Sequence, residues 1–372
     1  MTQVWHMRLR LCLLAMIVVF AGMVSYGAGI EDAHRDEQPL RGATVRATDA
    51  TDARIAELKA AGHNTVVLIV DSKDAPAKQA IRRAAARVAA ADLATGYWIE
   101  VARAPELADQ HPEWMASLQT HDEWLRFFPD TKRPAEDEVV KTYPWVPILS
   151  RAPFYAQRDR VLQLLDDLPT PQLLFLNDLQ GAPSACGCGN PLCRWTSDYG
   201  DRRTTVPLSD EAAAMFVKAI RKTLPTTEII PVWTTECEEH DGHPNGLCAG
   251  VGCYAGICWK AYTRQLMPVA DTCPRLAVMA PYKELQRNGD RYGASEAAWV
   301  EFVVKSFATM PPRNKGTAIE SSRVIAILQG WNVSPAEIAA QQSAASKSGA
   351  NGYIVAYDKI EQSWSPKIVS WK

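Results

Sequence analysis

Acidic side chains recur at the ends of short apolar runs along this sequence, and tryptophans recur beside them. Asp71 follows Thr65–Val70, Glu100 closes Gly96–Glu100, and Asn177 and Asp178 close Gln172–Asp178. Glu236 lies just past Glu228–Trp233, Tyr282 closes Leu276–Tyr282, and Gln329 closes Val324–Gln329. Trp98, Trp233 and Trp331 sit in or next to the same runs. Carboxylates framed by indoles suit a sugar, because an aromatic face packs on the apolar face of a pyranose while carboxylates accept hydroxyl protons. Hydrolysis of a glycosidic bond also uses two carboxyl groups, one as acid and one as nucleophile or base. Asp178 and Glu236, on neighbouring strand ends, are the candidate catalytic pair. A gap of about 5–5.5 Å between them suits retention, and about 6.5–9.5 Å suits inversion. Arg46, Asp71, Trp98, Glu100, Asn177, Trp233, Tyr282, Gln329 and Trp331 are the candidate substrate contacts. Strict strand alternation puts Trp233 and Glu236 on opposite sides, so they share a site only if the backbone bends between them.

Cysteines cluster in two further stretches. The first holds Cys186, Cys188 and Cys193; the second holds Cys237, Cys248, Cys253 and Cys258, with Cys273 further on. Disulfides clamping loops without a core of their own are one reading, each bridge stabilising by about 2–4 kcal/mol. A structural zinc held by thiolates, alone or with His240 or His243, is the other, although the spacing follows no paired Cys-x-x-Cys knuckle. No cofactor is otherwise expected.

The runs that carry these residues alternate with helical patterns. Strands are expected at Ala43–Ala47, Thr65–Val70, Gly96–Glu100, Gln172–Asp178, Glu228–Trp233, Leu276–Tyr282, Val324–Gln329 and Gly352–Tyr357. Each is a short apolar run, as strands buried on both faces require. Helical periodicity fills Thr51–Ala61, Ala75–Ala91, Ser209–Leu224, Ser295–Thr309 and Pro335–Ser348. Eight strands in regular alternation predict a single-domain α/β fold, a (β/α)8 TIM barrel over 42–358 with long loops at its C-terminal face. Catalytic groups of such a barrel project from the C-terminal strand ends, where the acids above fall. The connection Val101–Pro171 is too long for one helix and is expected to wall a cleft. Residues 359–372 are expected to form a tail packing on the barrel.

The first residues read as a targeting segment. Arg8 and Arg10 precede the apolar run Leu11–Val24 and the small residues Ser25, Gly27 and Ala28, so residues 1–28 are expected to be a signal peptide. The run is shorter than the roughly 20 residues that span a bilayer. A secreted or periplasmic protein without a membrane anchor after cleavage is the expectation. Such a compartment favours disulfides, and losing Cys12 leaves an even number of cysteines. The formal net charge of −2 becomes −4 when Arg8 and Arg10 leave, which gives no basic footprint for nucleic acid. With no Gly-rich phosphate loop, Gly-x-Ser-x-Gly elbow or His-Glu-x-x-His helix, nucleotide hydrolysis, serine esterase chemistry and zincin proteolysis are excluded.

Two short segments are similar to known sequences. Ala61-Gly62-His63-Asn64-Thr65-Val66-Val67 resembles the passage into the second strand of many glycoside hydrolase barrels, and His111-Pro112-Glu113-Trp114 resembles a segment of exported bacterial glycoside-hydrolase-like TIM barrels with cysteine-rich loops. The resemblance implies a glycoside hydrolase acting on an extracellular glycan. Against the α-amylase clan, Asp178 corresponds to the nucleophile and Glu236 to the acid/base. Against the largest retaining clan, Asn177-Asp178 stands where Asn-Glu is usual. Gln329 departs from both, standing where those clans carry an acid on strand seven. A non-catalytic carbohydrate-binding barrel, or an enzyme using a metal held by the cysteine loops, are the alternatives.

Overall fold

The computed structural model describes residues 38–115, 138–141, 144–148, 151–179, 211–233, 266–281, 295–313, 317–358, 365 and 367–370. Chain contacts divide it into residues 1–39 and 40–372. The second unit is a (β/α)8 barrel. Its strands are β1 (Leu40–Arg46), β2 (Thr65–Ile69), β3 (Ala94–Glu100), β5 (Leu173–Asn177), β6 (Glu228–Trp233), β7 (Leu276–Ala280), β8 (Val324–Gln329) and β9 (Gly352–Ala356). All neighbours pair in parallel, and β9 closes on β1 with Leu40 opposite Gly352 and Thr44 opposite Ala356.

Strand positions alternate between two apolar layers, which is what a closed parallel sheet needs. One set fills the lumen: Val67, Trp98, Phe175, Val232, Ile327 and Ile354 among others. The opposite set packs under the helices, with Leu68, Tyr97, Leu174, Trp233, Val278 and Val355 in that layer. The helices meeting it are α1 (Asp52–Ala60), α2 (Ala75–Ala90), α5 (Ala212–Thr223), α6 (Glu296–Arg313) and α7 (Pro335–Lys347). Local chemistry sets their ends. Thr51 accepts a hydrogen bond from the Arg54 amide at the start of α1, and Gly62 takes φ +86° after it. Ser334 and Glu337 form a reciprocal capping box at the start of α7.

The long β3–β5 connection carries structure of its own. It holds α3 (Pro105–Gln110), a 3-10 turn at Pro112–Trp114, the short strand β4 (Glu138–Lys141) and α4 (Arg151–Leu165). Residues 144–148 return along the exit of β3: the Val146 amide donates to the Ala102 carbonyl at 2.7 Å and the Ala104 amide to the Pro144 carbonyl at 2.9 Å. Strand β10 (Lys367–Ser370) pairs antiparallel with β4, and Lys367 Nζ lies 2.8 Å from Asp109 Oδ1. The C-terminal tail is thus tied to this insertion. Among the described residues no helix is long and apolar enough to cross a membrane.

Candidate functional site

The C-terminal ends of β1, β2, β3 and β5 bring polar side chains to one side of the barrel mouth. Residues at the lumen-facing register, Arg46, Asp71, Trp98, Glu100 and Asn177, follow from the period of two along each strand. Arg46 Nη1 lies 3.3 Å from Asp71 Oδ2, a pair about two-fifths exposed. Glu100, the last residue of β3, is held by two neutral donors. The Trp98 indole N–H donates to Oε1 at 2.8 Å, and the Asn177 amide donates to Oε2 at 2.8 Å. Each oxygen retains a lone pair for a further donor.

Glu100 lines an open depression of about 190 Å3 together with Asp71, Trp98, Arg103, Glu106 and Arg160. The insertion forms its outer wall through residues 103–106, as the length of the Val101–Pro171 connection suggested, and Arg160 comes from α4. Arg160 donates from Nη2 to the Glu100 and Val101 carbonyls, the latter at 3.0 Å, and from Nε to Gln157 Oε1 at 2.9 Å. Gln157, fully buried, donates in turn to the Val146 carbonyl at 2.9 Å. A polar chain therefore joins the insertion to the backbone of Glu100. Burial pulls the Arg160 pKa down to about 10, with the charges of Glu106 and Glu100 opposing the fall. It remains a cation at neutral pH.

Trp98 plays a different part from that expected. Its ring stacks on Phe175 in the lumen, 6.0 Å between centroids, and only 4% of the residue is exposed. It braces Glu100 and reaches the depression only by a small edge. Trp233 is fully buried in the layer between sheet and helices, so it is corrected from sugar contact to core. Its position at the end of β6 places it one residue out of register with the lumen-facing Val232. Gln329 does face the lumen, almost wholly buried, and donates to the Trp331 carbonyl at 3.0 Å. Gln341 of α7 grips its backbone from behind, accepting from the Gln329 amide at 3.0 Å and donating to its carbonyl at 2.9 Å. Trp331 is partly buried over the lumen cluster and keeps an accessible surface.

Asp178 leaves β5 with φ +61°, and Asn332 follows β8 with φ +54°. The other two non-glycine residues at positive φ, Asp92 and Asp167, sit just past the ends of α2 and α4, where such turns are routine. At the barrel mouth the same left-handed conformation, which Asp and Asn accept more readily than other side chains, turns the chain out of β5 and β8. Asp178 is 6% exposed and lies outside the lining of the depression. Glu236, Tyr282, Cys186, Cys188, Cys193, Cys237, Cys248, Cys253 and Cys258 lie outside the described residues. Cys273 is a free, buried thiol just before β7, at the N-terminal end of the barrel, beside Thr272 and Arg221. That end is opposite the mouth. Burial pushes its pKa up. Among the described residues no group of His, Cys, Asp and Glu is arranged to hold a metal.

Arg103, Glu106 and Arg160 lie in the β3–β5 connection, outside the strand ends to which the sequence assigns its candidate substrate contacts. One signal was there for Arg160. Phe154, Val161 and Leu164 mark the buried stripe of α4; Gln157 interrupts it with a polar side chain, and Arg160 follows at i, i+3 spacing.

No protein-family model matches the sequence, and no curated protein matches it. Among solved structures, the chain is similar to alpha-L-fucosidase isoenzyme 2 from Paenibacillus thiaminolyticus, with 10% identity, TM-score 0.46, and coverage of 86% of this chain and 46% of that one. It is also similar to GH5_18 from Streptomyces cattleya in complex with GlcNAc, with 10% identity, TM-score 0.45, and coverage of 86% and 70%. A chitinase from Chromobacterium violaceum gives 9% identity, TM-score 0.41, and coverage of 85% and 93%. The chain spans less than half the length of the fucosidase. Similarity at this level transfers no residue roles, and the chemistry rests on this chain's own side chains.

Proposed function

We propose that the barrel mouth binds a glycan and hydrolyses it, the protein working as a secreted or periplasmic glycoside hydrolase. The observation that carries this reading is Glu100, a carboxylate fixed by an indole and an amide at the edge of an open depression. In this reading Glu100 and Asp71 accept substrate hydroxyls, Arg46 orients Asp71, and Trp331 supplies an apolar surface. Asp178 serves as nucleophile or base and Glu236 as general acid. The place of Asp178 just past the C-terminal end of β5 supports that role.

The test is release of reducing ends from a panel of polysaccharides by the full chain. Wild type is expected to release them, and Asp178→Asn or Glu236→Gln to lose at least about a hundredfold in rate, the scale of general acid–base catalysis. Full activity in both variants would remove the catalytic assignment. Gln329, an amide where a carboxylate would serve catalysis, favours a second reading as a sugar-binding barrel without turnover. Binding of glycans by wild type with no reducing ends released would decide for it.

A further inference from the structure

We infer that the depression selects a sugar carrying a carboxylate, with Arg160 as the group that reads the acid and Glu100 as the group that reads its hydroxyls. This rests on the proposed glycan site and names the substrate class it takes. Arg160 and Glu100 line the same hollow, carry opposite charges, and are each held by neutral partners instead of by one another. The guanidinium spends Nε on Gln157 and Nη2 on two carbonyls. Its Nη1 makes no hydrogen bond among the described residues, which leaves two N–H donors for a ligand. A planar guanidinium with no carboxylate in ion-pair contact among the described residues is matched best by a carboxylate, and the low polarity around it strengthens that match.

The other acids at the hollow do not cancel this. Asp71 is paired with Arg46, and Glu106 lies 2.8 Å from Lys73 Nζ. Arg103 and Arg160 line the hollow beside Asp71, Glu100 and Glu106, with Arg46 and Lys73 standing against Asp71 and Glu106. An anionic group is tolerated beside Arg160, while Glu100 remains as the acceptor for neighbouring hydroxyls. A uronic acid residue offers both functions on one ring.

The experiment titrates the full wild-type chain with uronic-acid glycans, each paired with its carboxyl-reduced counterpart, in which the acid has become an alcohol and every linkage is kept. The panel holds polygalacturonate, alginate, glucuronoxylan and hyaluronan fragments. At least one native glycan is expected to bind about tenfold more tightly than its reduced form, the scale of one charge-assisted contact. That preference should shrink as salt rises. Arg160→Gln is expected to bring the native and reduced forms to similar affinity. Equal binding of both forms by wild type would overturn the inference, as would no binding at all or a preference retained in folded Arg160→Gln. If that variant does not fold, the wild-type pairs still decide. Carboxyl-dependent binding without release of reducing ends would support Arg160 as assigned and sink only the hydrolytic reading.

Discussion

Glu100 owes its geometry to two residues that a ligand hardly touches. Trp98 and Asn177 are each 4% exposed, and each gives its polar hydrogen to one oxygen of the carboxylate. Truncating Glu100 therefore does more than remove a charge, because it leaves two nearly buried donors without their acceptor. Glu100→Ala is expected to lower stability by about 1–2 kcal/mol, less than a fully buried case because water can enter from the open side. Glu100→Gln keeps one acceptor oxygen and is expected to cost less. Urea unfolding of the two variants checks this, and equal stability of Glu100→Ala and wild type would contradict it. Charge removal and donor orphaning are thereby separable at one position.

At the scale of elements, the mouth is positioned from behind by side chains that bond backbone. Gln341 on α7 satisfies both the amide and the carbonyl of Gln329, the last residue of β8, with a side chain in place of a strand. Gln341→Leu fills the same space without those bonds and orphans two buried groups, so a loss of about 2–4 kcal/mol is expected in urea unfolding. Closure of the barrel is similarly exacting. A Cβ at Gly352 would lie 2.0 Å from the Leu40 carbonyl oxygen, so Gly352→Ala is expected to cost at least about 2 kcal/mol or to prevent folding, checked by thermal melting. The elements themselves were legible because strands buried on both faces read as unbroken apolar runs, and all eight expected runs coincide with barrel strands. The same feature concealed Trp233. An unbroken apolar run carries no mark of which side faces the lumen, so its indole could not be assigned to core or mouth from sequence. Arg160 was hidden for another reason: it reaches Glu100 from a helix sixty residues later, and only three-dimensional closure joins them.

For the whole molecule, the proposed function divides the two ends of the barrel between stability and binding. His63 marks the N-terminal end, buried at 4% exposure and edge-on to Tyr353 at 6.4 Å. Burial lowers its pKa, with a hydrogen bond to the Arg41 backbone opposing and the charges of Arg54 and Arg41 adding to the fall. The folded state thus prefers neutral His63. Its contribution to stability is complete above the unfolded value of 6.5 and is lost as pH falls from there through the lower folded value. Unfolding free energy is expected to decline with falling pH below 6.5, and His63→Gln to flatten that slope; an unchanged slope in the variant would contradict the assignment. At the opposite end, the mouth is specified by Glu100. The most direct measurement is the affinity of the full chain for its tightest glycan, taken for wild type and for Glu100→Gln with unfolding curves run in parallel. Binding weakened about tenfold in a variant that still folds is the predicted result, the scale of one charged hydrogen bond. Affinity unchanged in a folded Glu100→Gln, or no glycan bound by wild type, would contradict the account.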